Sequence, residues 1–268
     1  MSDVEAWLPV LFGGMTPYTL VLLRVGGMLA TAPLFGARVV PVRVRALIAL
    51  ALAVAVAPAS ASSVVPDQPA TYVLAAAAEV LIGVALGVGL RSLFVAMQLA
   101  GGIISLTSGL NLADVYNPDA NEHTPLVAHF FELVSVTLFV AIGGHRLLVA
   151  GLLDTFTALP PGRVGVDRST VGLLTSLAGE SLSLALAVAA PALAALLLAS
   201  LIVGLVSRTL PQLNLLVVGF GLNTAVTFAV LVVMFGALAW TFDDRLEPLL
   251  QSLMSRLSPG HESARLPL

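Results

Sequence analysis

No cysteine occurs in this chain, so disulfides, thiolate metal sites and cysteine nucleophiles are all excluded. Lysine is missing too, and every basic residue is an arginine. Charge of either sign is scarce: charged residues make up 10% of the chain, where a soluble domain carries roughly a quarter. Water could not solvate a surface so poor in charge. The net charge of −3 is small and scattered, which argues against nucleic acid as a partner. The start, Met1-Ser2-Asp3-Val4-Glu5, is acidic where a secretory signal needs positive charge, so no cleaved signal peptide is expected. Enzyme signatures are lacking as well: no P-loop, no HExxH and no GxSxG. The expectation is a protein that is not an enzyme, with no cofactor and no metal site.

What the chain has is apolar residues, 58% of the total, with a mean hydropathy of +1.02. They lie in stretches near 10–36, 46–65, 70–90, 92–110, 126–144, 147–159, 173–207 and 212–242. Pro41, Pro66 with Pro69, Pro118 with Pro125, Pro160-Pro161-Gly162 and Pro211 punctuate them. A membrane-crossing helix needs about 20 mostly apolar residues, and most of the stretches reach that length. Only helices satisfy their own backbone in lipid, and the stretches lack the alternation of a barrel strand. The fold class is therefore all-α, a polytopic integral membrane protein of six or seven spans. The stretch 147–159 is too short to span and is expected at an interface or lining an assembly. Residues 1–242 read as one membrane-embedded domain, followed by a short polar tail at 243–268.

Arginine positions suggest the orientation. Arg38, Arg43 and Arg45 mark a cytoplasmic loop, the acidic loop around 111–125 faces outward, and Arg146, Arg163 and Arg168 return the chain to the cytoplasm. Simple alternation then puts Arg208 outside, against the rule, so one segment is expected not to cross fully. Trp7, Tyr18, Tyr72 and Trp240 lie near ends of apolar runs, as ordinary interfacial anchors do.

A charge at the bilayer centre costs about 2.5–3.5 kcal/mol, so Arg24, Glu79, Glu132, Asp154 and Glu180 need a reason. They are either a proton or ion relay, or contacts facing the interior of an assembly, and their spread over five segments favours the second. Glu79, Gly83 and Gly87 share a helical face, a spacing that lets backbones approach closely in a packing seam. His129 and Glu132 also share a face, but one His and one carboxylate are too few for a metal site, and packing or pairing is favoured. Two irregular features remain. Gly101 and Gly102 lead through Gly109, Leu110, Asn111 and Asp114 to Asn117-Pro118, at a density of Gly and Pro expected to break a helix. This segment is either an outer loop or a pore-facing one. The second is the polar hairpin tip from Arg208 through Pro211, Gln212 and Asn214, following a helix kinked at Pro191.

Five blocks, taken in order, resemble the FliR family of the flagellar and type III secretion export gate. They are Leu22-Leu23-Arg24-Val25 with Thr31-Ala32-Pro33-Leu34, Val40 to Arg45 and Ala57-Pro58; Glu79 with Ile82-Gly83 and Leu86-Gly87; Gly102 to Leu110 with Asn117-Pro118 and Pro125-Leu126; Gly144-His145 through Asp154-Thr155-Phe156 to Leu159-Pro160 and Gly162; and Ala190-Pro191, Gly204-Leu205, Arg208, Pro211 to Asn214 and Val218-Gly219-Phe220. The family often has Asp at the position of Asn117, and Pro at that of Gly221.

The resemblance implies a multi-pass protein of the bacterial inner membrane, associated with the flagellar basal body. It implies kinked helical hairpins, with a FliP-like part at 10–170 and a FliQ-like hairpin at 182–242 whose tip faces the cytoplasm. It implies FliP-like and FliQ-like gate subunits as partners, FlhB-like and FlhA-like proteins nearby, and unfolded substrates passing through the centre. The segment after Gly109 would correspond to the family's plug. The competing reading is a small-solute secondary transporter using Arg24, Glu79 and Glu132, but the internal repeats usual in transporters are not found.

Overall fold

The computed structural model describes residues 2–33, 35, 40–56, 68–110, 125–162, 168–209 and 215–257. Among these there are seven helices and no strand: α1 Ser2–Thr31, α2 Val42–Val56, α3 Pro69–Ser108, α4 Leu126–Ala141, α5 Gly144–Ala158, α6 Arg168–Thr209 and α7 Leu215–Leu257. The all-α membrane class follows from composition because a polar backbone surrounded by lipid must close its hydrogen bonds within the segment. Buried hydroxyls do the same locally: Ser135 donates to the Phe131 carbonyl at 2.7 Å and Thr227 to the Asn223 carbonyl at 2.7 Å.

The number of spans differs from expectation. Among the described residues three helices are long and apolar enough to cross a membrane, namely α3, Thr175–Thr209 of α6 and Val217–Gly236 of α7; a fourth arises if α4 and α5 form one broken span. The stretches 70–90 and 92–110, which read as two spans, are the single helix α3 of 40 residues. At 1.5 Å per residue it is ~60 Å long, about twice the hydrocarbon thickness. Arg91 between them is exposed, and a charge without a proline does not stop a helix. Gly101 and Gly102 do not stop it either, contrary to the expected break: α3 continues to Ser108 and ends where Gly109 adopts a left-handed φ of 80°. Helix α6 likewise runs through Pro191, which leaves one carbonyl a turn earlier without its backbone donor.

The chain divides into two compact units. The first comprises Met1–Arg91, Gly143–Leu177 and Leu246–Leu268, and the second Ser92–Ile142 and Ala178–Arg245. In the first, α1 and the first half of α3 cross, α5 packs its buried stripe of Gly144, Leu148, Leu152, Thr155 and Phe156, and Leu177 and Leu249 meet Ala85. In the second, the remainder of α3 packs on α4, with Phe94 edge-on to Phe139 at a centroid separation of 5.5 Å.

Candidate functional site

The site begins with a close approach of two helices. A Cβ added to Gly27 would stand 2.7 Å from the Val80 carbonyl oxygen; one on Gly83 would overlap the Arg24 carbonyl, and one on Gly87 the Thr31 hydroxyl. Small residues therefore let the backbones of α1 and α3 touch. The packing face of Glu79, Gly83 and Gly87 meets α1 of the same chain.

One turn before Gly83 on α3, that approach encloses a charge pair. Arg24 Nε donates to Glu79 Oε2 at 2.6 Å, with the two side chains 0% and 1% exposed. Arg24 Nη1 donates to the Thr155 carbonyl at 3.0 Å and reaches the Thr155 hydroxyl at 3.3 Å, and Nη2 donates to the Leu159 carbonyl at 3.0 Å. The second oxygen of Glu79 accepts the Gly162 amide at 3.0 Å. Gly162 itself has a φ of 82°, the left-handed region that a side chain would strain. The guanidinium also lies over the Phe156 ring, 4.5 Å from its centroid. Each nitrogen of the fork thus has an acceptor and each carboxylate oxygen a donor, which is the condition under which a buried ion pair offsets its desolvation.

The five charges that the sequence singled out do not form one group. Arg24 and Glu79 pair with each other. Glu132 lies on α4 beside His129, 3.6 Å from its ring nitrogen, with side chains 41% and 59% exposed. Asp154 and Glu180 are exposed on α5 and α6. No group of three or more His, Asp or Glu that could hold a metal ion occurs among the described residues. Gly109 and Leu110 are described at the end of α3, whereas Asn111, Asp114, Asn117 and Pro118 lie outside the described residues. Arg208 is exposed in the last turn of α6, beside a shallow hollow lined by Leu197, Ser200, Leu201, Gly204 and Leu205. Pro211, Gln212 and Asn214 also lie outside the described residues. Leu110 borders an apolar cavity of about 520 Å³ with Leu126, Phe130, Phe228, Leu231 and Phe235, all in the second unit.

Thr155, Leu159 and Gly162 carry no side-chain charge, and nothing in their types marked them as partners of Arg24. A usable signal did exist. One lone Arg and one lone Glu, each mid-run in an apolar helix and each near a small-residue face, are an opposite-charge pair in search of a crossing.

The family model of the bacterial export proteins, family 1, matches residues 15–249. The chain belongs to that family. It is similar to the flagellar biosynthetic protein FliR of Escherichia coli strain K12, with 32% identity over 236 residues that cover 88% of each chain. It is also similar to FliR of Bacillus subtilis strain 168, 30% identical over 81% of this chain and 85% of the relative. FliR of Caulobacter vibrioides is 31% identical over 86% and 93%. As an export-family protein with several apolar helices, the chain is a multi-pass membrane protein and a flagellar-biosynthesis export component. The segment that carries the family likeness contains the whole Arg24–Glu79 site, Gly109 with Leu110, and Arg208.

Proposed function

We propose that this export-family chain is a structural and channel subunit of the flagellar protein-export gate in the bacterial inner membrane, at the basal body. The observation that carries the proposal is the family match across residues 15–249, together with FliR relatives that align over most of both chains. The helices support it. Leu197, Leu198, Leu201, Leu205, Val232 and Val233 stand exposed along α6 and α7, as expected of faces that partner helices and lipid cover. Those partners are FliP-like and FliQ-like subunits, with FlhB-like and FlhA-like proteins nearby, and unfolded export substrates pass through the assembly. In this reading the segment after Gly109 helps to close the path, and the tip from Arg208 to Asn214 turns the C-terminal hairpin at the cytoplasmic side.

A solute transporter is the weaker reading. Arg24 and Glu79, two of the three midplane charges it would use, are spent on each other and on backbone groups, with no water-facing atom left for a relay. The gate reading is tested by deleting Leu110 to Tyr116 in the full chain. The expected result is a complex that still assembles, in cells that leak ions or small solutes at rest. A resting conductance equal to that of the wild type, in an assembled complex, would sink the closing role. A protein that purifies as a stable monomer and binds a small solute would sink the gate subunit altogether.

A further inference from the structure

Helix α5 leads towards α6 through Leu159-Pro160-Pro161-Gly162. A four-residue turn is commonly closed by a bond from the amide of its fourth residue to the carbonyl of its first. The two common closed turns are denied to these four. Pro161 in third place works against the helical backbone that a type I turn asks of Pro160. The proline ring cannot reach the positive φ that a type II turn asks of Pro161 itself. The turn falls one residue later. Pro161 and Gly162 form its middle, with Gly162 at φ 82°, which is the Pro-Gly pairing of a type II turn. In such a turn the amide of the third residue takes no part in closure. Local geometry thus leaves two backbone groups over beside the buried Pro161: the Leu159 carbonyl, which precedes the turn, and the Gly162 amide inside it.

We infer that the Arg24–Glu79 pair is a clasp on this turn, its two charges serving the two leftover backbone groups. Arg24 Nη2 gives the Leu159 carbonyl its donor at 3.0 Å, and Glu79 Oε1 gives the Gly162 amide its acceptor at 3.0 Å. The bond between Arg24 Nε and Glu79 Oε2 closes the circuit, so carbonyl, guanidinium, carboxylate and amide are linked in one ring. Both contacts to the turn involve an ionised group, the stronger class of hydrogen bond. The polarity runs one way only, since a carboxylate cannot donate to a carbonyl and a guanidinium cannot accept from an amide. The bond from Arg24 to the Thr155 carbonyl is different in kind. That carbonyl already accepts the Leu159 amide at 2.9 Å, so Arg24 anchors α5 there without repairing it. The turn takes its position from α1 and α3, and the chain heads for α6 from a point that those two helices set.

Replacing both charges together separates a clasp on the turn from a strut between helices. Arg24→Met with Glu79→Met removes the whole pair, and a buried ion pair exchanged for apolar groups of similar size commonly leaves the fold intact. The Gly162 amide is the reporter, because Pro160 and Pro161 have none. Hydrogen exchange of the full chain in mild detergent, read by mass spectrometry with fragmentation that resolves Gly162, gives the comparison. In the wild type Gly162 should exchange at least about tenfold more slowly than an amide open to water, the scale of one hydrogen bond to a charged group. In the double variant it should exchange about tenfold faster or more than in the wild type, while residues 18–31 of α1 keep their protection. Exchange of Gly162 at the open rate in the wild type would overturn the inference before any variant is made. Unchanged protection of Gly162 in the double variant would overturn it as well. So would a double variant that does not fold, or one whose α1 loosens as much as Gly162, since the pair would then hold the crossing and not the turn.

Discussion

In the unit built from residues 1–91, 143–177 and 246–268, helices meet backbone to backbone over Gly27, Gly83 and Gly87 and enclose an ion pair with directional bonds to a third segment. In the unit of residues 92–142 and 178–245, α3 and α4 also approach closely, with a Cβ on Gly101 standing 2.6 Å from the Ala128 Cα, but no charge is enclosed among the described residues. Its described contacts include the Phe94–Phe139 pair, and large apolar side chains such as Leu197, Leu201, Val232 and Val233 stand exposed. The most apolar part of α3 is 56% buried, against 28% for α6 and 17% for α7. Small residues bring helices together in both units, so closeness alone does not explain the difference. A charged fork ties three segments into one register, because each bond has a single correct partner. An apolar face has no such partner and accepts whatever helix or lipid covers it.

The largest expected effect falls on the first crossing. Gly83→Leu should prevent this unit from folding, because the new side chain meets the Arg24 backbone, which cannot move without unseating Arg24; overpacking of this kind costs about 3 kcal/mol or more. The check is the amount of folded chain extracted from membranes and its thermal midpoint in detergent. A Gly83→Leu protein as stable as the wild type would mean that the crossing does not constrain the unit.

A smaller effect is expected in the second unit, where Gly101 and Gly102 provide an internal control. Gly101→Ala should cost ~1–3 kcal/mol because its Cβ meets the Ala128 backbone. Gly102→Ala meets nothing within 4 Å and should be neutral or stabilising by up to about 1 kcal/mol, the difference in helix propensity. Melting curves of the two variants should therefore shift in opposite directions or differ clearly in size. Equal shifts would show that packing on α4 is not what Gly101 serves. The smallest effect belongs to the exposed His129–Glu132 contact: Glu132→Gln should change stability by less than about 0.5 kcal/mol, as for surface substitutions in general. A loss comparable to that of Glu79→Gln would erase the distinction between buried and exposed charges drawn above.

Several features were legible before any coordinates. Scarce charge and long apolar stretches gave the all-α membrane class, and the face of Glu79, Gly83 and Gly87 was visible as a packing seam. The helix count was less legible, because apolarity marks where a chain can be buried and not where a helix stops. Arg91 interrupts an apolar run without interrupting α3, and Gly101 with Gly102 looked like a break but lie inside the same helix. Glycine is permissive: it allows a break, and it also allows a close approach when a neighbour such as Ala128 is there to use it.

By itself, then, the sequence determined the solvent and the helical class. Those follow from local chemistry, namely how many side chains water will accept and which backbone can close its own hydrogen bonds in lipid. Only the tertiary structure decided which charges belong together. Arg24 and Glu79 are 55 positions apart, and Arg24 and Leu159 are 135 apart. At such separations every mid-helix charge is an equal candidate until helices cross. The close approach over Gly27, Gly83 and Gly87 brings Arg24 and Glu79 together, and Thr155, Leu159 and Gly162 supply the further partners that keep both buried groups hydrogen-bonded.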